Sequence, residues 1–284
     1  MEWIESIRSE PLTVLMKAFT LLGDEEFFLL ALPLAFWLWS PRKMGRLGIV
    51  LLATVVLNDF LKGIFQVPRP EEISHLVHAD GWNVPSGHAQ CAIVLWGWLA
   101  WELRRRWVSV VAVILILGVA FSRMYLGVHD LLAITAGLVV GGLSLLLYGW
   151  LLDHAPRGWL QLGPTRQSLI LLVLLFGCYM IFPDYQDPAL KGGAAFIGFT
   201  AGVLHGPAMS LNRGWGVSIS RALTGLVGLV LIYIGLKQIF IAIGYQTTLA
   251  TFIRYTLLGG WISWGAPYLF RHFGWSREQV RMRN

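Results

Sequence analysis

The sequence predicts an all-α protein, a polytopic bundle of transmembrane helices. Three observations support this prediction. The 284 residues are 56% hydrophobic and 13% charged, whereas soluble domains carry roughly 45–50% apolar and about 25% charged residues. The chain also holds 14 tryptophans and 15 phenylalanines, and apolar runs near the ~20 residues that span a bilayer recur along it. This composition excludes a nucleic-acid-binding protein, a secreted disulfide scaffold and a disordered chain.

Nine apolar runs are long enough, or nearly so, to cross about 30 Å of hydrocarbon as helices. In chain order they are residues 25–40, 47–66, 87–103, 107–124, 129–151, 168–182, 193–211, 221–243 and 248–270. Residues 1–24 contain a shorter apolar stretch at 9–23, which predicts an interfacial helix. The acidic start MEWIESIRSEP lacks the basic leader of a signal peptide.

The later part of the chain predicts further membrane helices and a basic tail. Residues 153–270 are rich in glycine, which suits close helix packing, and we expect additional transmembrane helices there. These glycine-rich helices are also a candidate surface for a homo-oligomer. Residues 271–284 carry four arginines and predict a basic cytoplasmic tail.

The positions of Lys and Arg predict the orientation of the bundle. Most of the 22 basic residues fall in the tail and in the loops after the first, third, fifth and seventh spans. Cytoplasmic loops carry such an excess. We therefore expect an integral multi-pass protein with a cytoplasmic C-terminus, in a bacterial inner membrane whose other face is periplasmic.

The outer face nevertheless gathers a few cations, two histidines and the start of a helix. The residues in its three clusters are Lys62, Arg69, Ser86, Gly87, His88, Arg123 and His129. Each alone has an ordinary explanation: a lysine that snorkels, a headgroup contact, a helix cap or a hydrogen-bonded structural histidine. Together they predict an anion site with proton-transfer groups.

These clusters read K-x6-R-P, P-S-G-H and S-R-x5-H, and they resemble the three signature motifs of the type 2 phosphatidic acid phosphatase (PAP2) superfamily. The resemblance covers about residues 58–142. It implies a PAP2-like catalytic membrane core at 25–152, and the extra C-terminal helices resemble the layout of sphingosine phosphate phosphatases. The implied activity is hydrolysis of a lipid phosphomonoester or pyrophosphate at the outer leaflet, with no cofactor and no metal.

The resemblance also implies a role for each motif residue. His129 would attack phosphorus to form a phosphohistidine, and His88 would protonate the departing alcohol oxygen. The phosphoryl oxygens would be held by Lys62, Arg69, Ser86, Gly87 and Arg123. Asp59 lies three residues before Lys62, and we expect the two to pair.

The family pattern ends S-R-x5-H-x3-D, and this chain departs from it. Ala133 stands where an Asp would orient the nucleophilic imidazole. Asp130 is adjacent to His129 but would point about 100° away on a helix. Three explanations are open: a natural variant of reduced activity, an engineered Asp→Ala change, which the intact motifs favour, or another acid, with Asp130 the first candidate. Without a substitute acid we expect a folded, phosphate-binding but nearly inactive chain, in which Ala133→Asp raises turnover by roughly 10²–10⁴-fold.

A second class of function is a lipid-phosphate-binding or lipid-translocating protein with a degenerate PAP2 site. Ala133 and the extra helices favour it, whereas the intact His88 and His129 count against it. The expected partners are a lipid phosphate and the surrounding membrane lipids, with no nucleic acid. Candidate substrates are phosphatidic acid, phosphatidylglycerophosphate, isoprenyl pyrophosphate and sphingosine phosphate, and the sequence does not choose among them.

Overall fold

A computed structural model of the chain describes residues 2–71, 74–154 and 187–278, apart from 207–208, 212–213 and 246, together with isolated positions between 163 and 177. The described residues are almost entirely helical. The prediction of an all-α bundle is therefore confirmed.

The described residues form a series of helices in chain order. They are α1 (Glu2–Ser6), α2 (Glu10–Leu21), α3 (Glu25–Leu38), α4 (Pro41–Phe65), α5 (Gly87–Leu103), α6 (Arg106–Tyr125), α7 (Leu131–His154), α8 (Asp187–His205), α9 (Trp215–Val230), α10 (Leu236–Ala242), α11 (Thr248–Gly260) and α12 (Ala266–His272). A π-helical turn at Leu231–Gly235 joins α9 to α10, and another at Trp261–Gly265 joins α11 to α12. Two short antiparallel strands, β1 (Met209–Leu211) and β2 (Ser276–Glu278), pair with Ser210 opposite Arg277.

Helices form at each predicted span in the described part of the chain, whereas most of the span predicted at 168–182 lies outside it. The interfacial stretch forms α2, with Pro11 in its first turn, where proline fits. Among the described residues, four helices are long and apolar enough to cross a membrane. They are Pro41–Phe65, Arg106–Tyr125, Leu131–Leu151 and Trp215–Ala242.

One predicted span ends in a strand rather than in a helix. The span expected at 193–211 forms α8, which ends at His205, and residues 209–211 form β1 instead. Gly206 and Pro207 follow the helix in the sequence. The cause is that proline has no N–H to donate and disfavours helical geometry in the residue before it.

The chain divides into two compact units, each made of two stretches of sequence. Unit 1 comprises Met1–Leu29 and Thr54–His154, and unit 2 comprises Leu30–Ala53 and Ala155–Asn284. In unit 1, α5 packs against α6 and α7, and α2 packs against α6. Ile4, Met16 and Tyr125 belong to a buried apolar cluster of this unit.

Within unit 2, α8 and α11 pack through small residues. A Cβ at Gly198 would collide with the Thr256 carbonyl group, and one at Gly259 with the backbone of Ala195 and Phe199. Glycine therefore sets the distance between these two helices. Elsewhere in the unit, the buried Trp37 indole donates a hydrogen bond of 2.9 Å to the Ile262 carbonyl.

In unit 1 the segment between α6 and α7 is held in a fixed path. The Arg8 guanidinium donates to the carbonyl oxygens of Tyr125 (3.0 Å from Nη2) and Ser74 (2.9 Å). Gly127 has a φ of +80°, and a Cβ there would overlap the Ser74 carbonyl. Only glycine fits this turn without strain, and the turn delivers the chain to His129.

Candidate active site

The motif residues all lie in unit 1, at the ends of α4 to α7 and in the segments that connect them. Lys62 occupies the last turn of α4, and Arg123 the last turn of α6. Gly87 is the first residue of α5. His129 lies in the short segment just before α7 and is 1% exposed.

Arg69 is held by hydrogen bonds on every side of its guanidinium. Its Nε donates to the Gly81 carbonyl at 2.9 Å, and Nη2 donates to the Asp80 carbonyl at 2.7 Å. Nη1 donates to the Val128 carbonyl at 2.9 Å and lies 3.1 Å from Nε2 of His129. The fixed planar fork therefore faces the imidazole directly.

The contact with Arg69 defines which nitrogen of His129 carries the proton. A guanidinium only donates hydrogen bonds, so Nε2 of His129 accepts, and the proton of the neutral ring is on Nδ1. Nδ1 lies 2.9 Å from Oδ1 of Asn83, a suitable acceptor. The lone pair on the unprotonated Nε2 is therefore the one that the Arg69 guanidinium contacts.

Asn83 and Asp130 continue this chain of hydrogen bonds. The Asn83 amide Nδ2 donates to Oδ2 of Asp130 at 3.0 Å. Oδ1 of Asp130 accepts from the backbone N–H of Ala133 at 2.8 Å. Asp130 precedes the first residue of α7 and caps that helix, so the expectation based on helical geometry, that its carboxylate points away from His129, does not apply. It reaches His129 through Asn83.

His88 has its own carboxylate partner. Its Nε2 lies 2.6 Å from Oδ1 of Asp24, and the two side chains are 22% and 27% exposed. Gly23 lies against the ring, since a Cβ there would be 2.8 Å from His88 Cδ2. The Asp24 carboxylate fixes the ring and compensates the positive charge that a protonated imidazole carries.

Ser86 and Arg123 are buried polar groups with unused hydrogen-bonding capacity. Among the described residues, Ser86 Oγ and Arg123 Nε have no hydrogen-bond partner. Arg123 Nη1 donates to Thr20 Oγ1 at 2.5 Å. Buried polar atoms are normally satisfied, so these two atoms are available to oxygens of a bound ligand.

The start of α5 is positioned by buried amides. Asn58 Nδ2 donates to the Pro85 carbonyl at 3.1 Å and to Gln90 Oε1 at 2.7 Å. A Cβ at Gly87 would lie 3.2 Å from Asn58 Oδ1, so a side chain there would crowd the amide. The N–H of Ser86 donates to the Ala133 carbonyl at 2.9 Å, which fastens this segment to α7. Asp59 is 6% exposed and lies one turn before Lys62.

The cations of the site act on His129. Burial lowers the pKa of His129 well below its ordinary value, and the positive charges of Arg69, Arg123 and Lys62 lower it further. The ring is therefore neutral at physiological pH. In the part of the chain that the structure describes, no group of three or more His, Cys, Asp or Glu side chains is placed to hold a metal ion.

Sequence reasoning did not single out Asp24, Asn83, Thr20 and Asn58. Asp24 is 64 residues from His88 in sequence, and Asn83 is 46 residues from His129. No local spacing links such pairs. The one available signal was the position of Asn83, two residues before Pro85 of the second motif.

Comparison with known proteins identifies the family of the chain. A family profile described as "PAP2 superfamily" matches residues 43–156, and one described as "PAP2 superfamily phosphatase, transmembrane extension" matches residues 190–278. Together the two matches cover more than half of the chain. The first match includes every motif residue, and the second covers helices that follow it.

Curated relatives include a dihydrosphingosine 1-phosphate phosphatase of Saccharomyces cerevisiae, 25% identical over 73% of this chain and 55% of its own. A probable sphingosine-1-phosphate phosphatase of Dictyostelium discoideum is 28% identical over 61% of this chain and 48% of its own. The chain thus spans about half the length of these relatives. Phosphatidylglycerophosphatase B of Bacillus subtilis is 29% identical over 48% of this chain and 72% of its own.

A solved structure also resembles the chain. It is the crystal structure of a transmembrane PAP2-type phosphatidylglycerolphosphate phosphatase from Bacillus subtilis. The sequences are 24% identical, the TM-score is 0.48, and the match covers 55% of this chain and 84% of the other.

Proposed function

The chain belongs to the PAP2 superfamily and is an integral multi-pass membrane protein, and on that premise we propose that it is a lipid phosphate phosphatase. The observation that carries the proposal is the pairing of Arg69 Nη1 with the unprotonated Nε2 of His129. A nucleophile and a phosphate-binding cation meet there at 3.1 Å. When a phosphoryl group enters, Arg69 exchanges the imidazole for a phosphoryl oxygen, and Nε2 is released beside the phosphorus atom.

The reaction then has two steps. Nε2 of His129 attacks phosphorus, the bond from phosphorus to the lipid oxygen breaks, and His88 gives its proton to that oxygen. Water next attacks the phosphohistidine, His88 takes the proton of the water, and inorganic phosphate leaves. Lys62, Arg69 and Arg123 neutralise the charge on the three equatorial oxygens in both transition states.

The remaining donors complete the phosphate cradle. The unpartnered Ser86 Oγ and Arg123 Nε are buried, and the N–H of Gly87 opens α5. A helix start and unsatisfied donors both favour an anion. We further propose that Asp59 positions Lys62, as their spacing of one turn in α4 suggests.

The domain assignment rests on the same residues. We propose a catalytic membrane core over residues 25–152, which holds every motif residue, followed by additional transmembrane helices over 153–270 and a basic tail at 271–284. The N-terminal residues 1–24 would lie at the membrane interface. The site would face the outer leaflet, and the glycine-rich helices would provide any contact between copies.

The substrate class is a lipid phosphate. The Saccharomyces and Dictyostelium relatives are phosphatases of sphingoid base phosphates, so we place sphingosine 1-phosphate first in the panel to be tested. Phosphatidic acid, phosphatidylglycerophosphate and isoprenyl pyrophosphate complete it.

The test is release of inorganic phosphate by the purified full chain in detergent micelles. We expect release from at least one lipid of the panel. His129→Asn should abolish it, and His88→Asn should lower kcat by about 10²–10⁴-fold, the usual contribution of general acid catalysis. The matched control is Glu71→Gln, which changes an exposed side chain and should leave phosphate release unchanged.

A chain that binds these lipids without releasing phosphate would overturn the proposal. The Ala133→Asp variant must also fail to release phosphate for that result to stand. Such an outcome would favour the lipid-binding or lipid-translocating alternative.

A further inference from the structure

The proposed nucleophile lacks the carboxylate that its family pattern provides. Ala133 occupies that position, and its side chain is fully buried. A histidine nucleophile attacks with one ring nitrogen and needs an acceptor for the proton on the other. The ring also gains positive charge as it attacks phosphorus. A replacement for this carboxylate acts on His129, so the inference rests on the proposed function, in which His129 is the nucleophile.

We propose that Asn83 and Asp130 form a relay that replaces the missing carboxylate and orients His129 for attack. The direction of each hydrogen bond is set by the donor chemistry. Arg69 only donates to Nε2, so Nδ1 of His129 donates to Oδ1 of Asn83. The Asn83 amide then donates to the Asp130 carboxylate. Every member has the donor or acceptor that its neighbour requires.

Both ends of the relay are anchored. Asn83 is 1% exposed, and its backbone N–H donates to the Val67 carbonyl at 2.8 Å. Asp130 is fixed by the N–H of Ala133 through its other oxygen. A buried hydrogen-bonded network of this kind holds its members in a single arrangement. Asn83 and Asp130 are therefore positioning residues, one step away from the reacting atoms.

The relay orients and polarises, but it does not carry a proton. An amide oxygen accepts the Nδ1 hydrogen bond without becoming protonated, so the proton stays on the ring throughout. As Nε2 bonds to phosphorus, the positive ring is stabilised by the amide dipole, which the Asp130 carboxylate in turn polarises. This stabilisation is weaker than that of a carboxylate in direct contact, since the charge lies one residue further away.

The tautomer of His129 is the direct readout, and it does not depend on turnover. We expect the ¹⁵N NMR shifts of the His129 ring to show protonated Nδ1 and unprotonated Nε2 in the unmodified chain. In an Arg69→Ala background, where no guanidinium donates to Nε2, the relay should still hold that form, and adding Asn83→Ala should give a mixture of tautomers. Asn58→Ala is the matched control, because it truncates an equally buried amide, 5% exposed, that bonds to Pro85 and Gln90 rather than His129. The control should keep the Nδ1-protonated form.

A paired exchange tests the relay with both side-chain volumes kept. Asn83→Asp alone places two carboxylates against each other and should lower kcat. Combined with Asp130→Asn, the order of the groups is reversed, so that a carboxylate faces Nδ1 directly and an amide donates to it. We expect this double variant to recover kcat to at least the unmodified level. It also keeps the test decisive if Asn83→Ala fails to fold.

Kinetics distinguish orientation from substrate binding. Asn83→Ala should lower kcat by about 10²-fold. This lies between the loss caused by removing a residue that supports a catalytic group and the loss caused by removing a triad carboxylate. KM should stay nearly unchanged, because the cations that bind the phosphate are intact. Ala133→Asp should restore most of the loss in that background. In the unmodified chain it should raise kcat by no more than about tenfold, since the relay already supplies an orienting group.

The outcomes separate the relay from the proposed function. A single Nδ1-protonated tautomer that persists when Asn83→Ala is added to the Arg69→Ala background would overturn the relay, whether or not phosphate is released. A mixed tautomer in Asn83→Ala in that background, with the Nδ1-protonated form restored when Asn83→Asp and Asp130→Asn are combined there instead, supports the relay even if no lipid of the panel is hydrolysed. Failure of the double variant to recover kcat in an active chain would also overturn it.

Discussion

Arg69 has two partners that cannot be served at once. In the structure its Nη1 bonds to His129, and during the proposed reaction the same guanidinium binds a phosphoryl oxygen. The resting contact covers Nε2, the proposed nucleophile, and keeps the ring neutral, because a nearby cation opposes protonation. In the proposed reaction, Nε2 is uncovered only when a phosphoryl group enters and takes over the contact with Arg69.

The first prediction concerns pH. An attacking imidazole must be neutral, so kcat/KM falls as the pH drops through the pKa of His129. Burial, then Arg69, lower this pKa, so the acid limb of the unmodified chain should lie below about pH 6.5, the ordinary histidine value. Arg69→Gln removes one of the opposing charges, so its acid limb should move to higher pH.

The measurement is the pH profile of kcat/KM for one lipid phosphate. The second ionisation of the substrate phosphate, near pH 6, is common to all variants, so the difference between profiles reports the protein. Lys17→Gln removes a charge at an exposed position of α2 and is the matched control. An acid limb that stays in place in Arg69→Gln would contradict the electrostatic role.

The second prediction concerns Asp24. If its carboxylate holds His88 for proton donation, Asp24→Asn should lower kcat by about 10–10²-fold with little change in KM. Glu26→Gln, which neutralises an exposed carboxylate two residues further along, should leave kcat unchanged. Steady-state kinetics on the same lipid decide the matter, and equal effects of both variants would count against the assigned contact.

From the sequence, roles could be predicted only for residues that belong to a recognisable motif. Spacing led to Lys62, Arg69, His88 and His129, whose roles remain proposals. It did not lead to Asp24 or Asn83, because each meets its histidine across a long stretch of sequence. The effect of Ala133 could not be judged from the sequence either, since Asp130 is connected to His129 through Asn83, a residue from another segment.

At the level of elements, helix contacts in unit 2 depend on glycine. The third prediction is that Gly198→Ala destabilises this unit, because its methyl group would meet the Thr256 carbonyl group in α11. Overpacking of this kind costs typically about 1–3 kcal/mol. The melting temperature of the purified chain should therefore fall by several degrees.

Gly216→Ala is the matched control. It lies in α9 of the same unit, and a Cβ there has nothing within 4 Å. Alanine is the better helix former, so this variant should melt at the same temperature or slightly higher. A Gly198→Ala chain as stable as the control would mean that α8 and α11 separate without cost.

The hydrophobic runs of the sequence predicted where most helices form. A segment that lies in lipid must be long and apolar, and its backbone N–H and C=O groups must form hydrogen bonds within the segment. The strands β1 and β2 were not predicted. Each has three residues, too few for an alternating pattern, and their pairing joins segments that are far apart in sequence. The end of α8 was misplaced for a similar reason, since Met209–Leu211 reads as a continuation of its apolar run.

For the whole molecule, the fourth prediction concerns orientation. In a chain without its two cysteines, Arg42→Cys and Glu71→Cys place one thiol at each of two exposed positions. The excess of basic residues predicts that the first is cytoplasmic and the second is outside. A membrane-impermeant maleimide should label Glu71→Cys in intact bacterial spheroplasts and Arg42→Cys only after permeabilisation. The reverse pattern would place the site on the cytoplasmic side.

The division into units has a consequence for the gene. No single cut in the coding sequence separates the two units, because α3 and α4 each contribute residues to both. A reading frame that stops after codon 154 would keep every motif residue. It would nevertheless leave Trp37 without the Ile262 carbonyl, and Phe36 without the ring of Phe199 that it packs against at 5.8 Å. Mutations that shorten this gene from its end therefore remove the packing partners of helices that are encoded near its beginning.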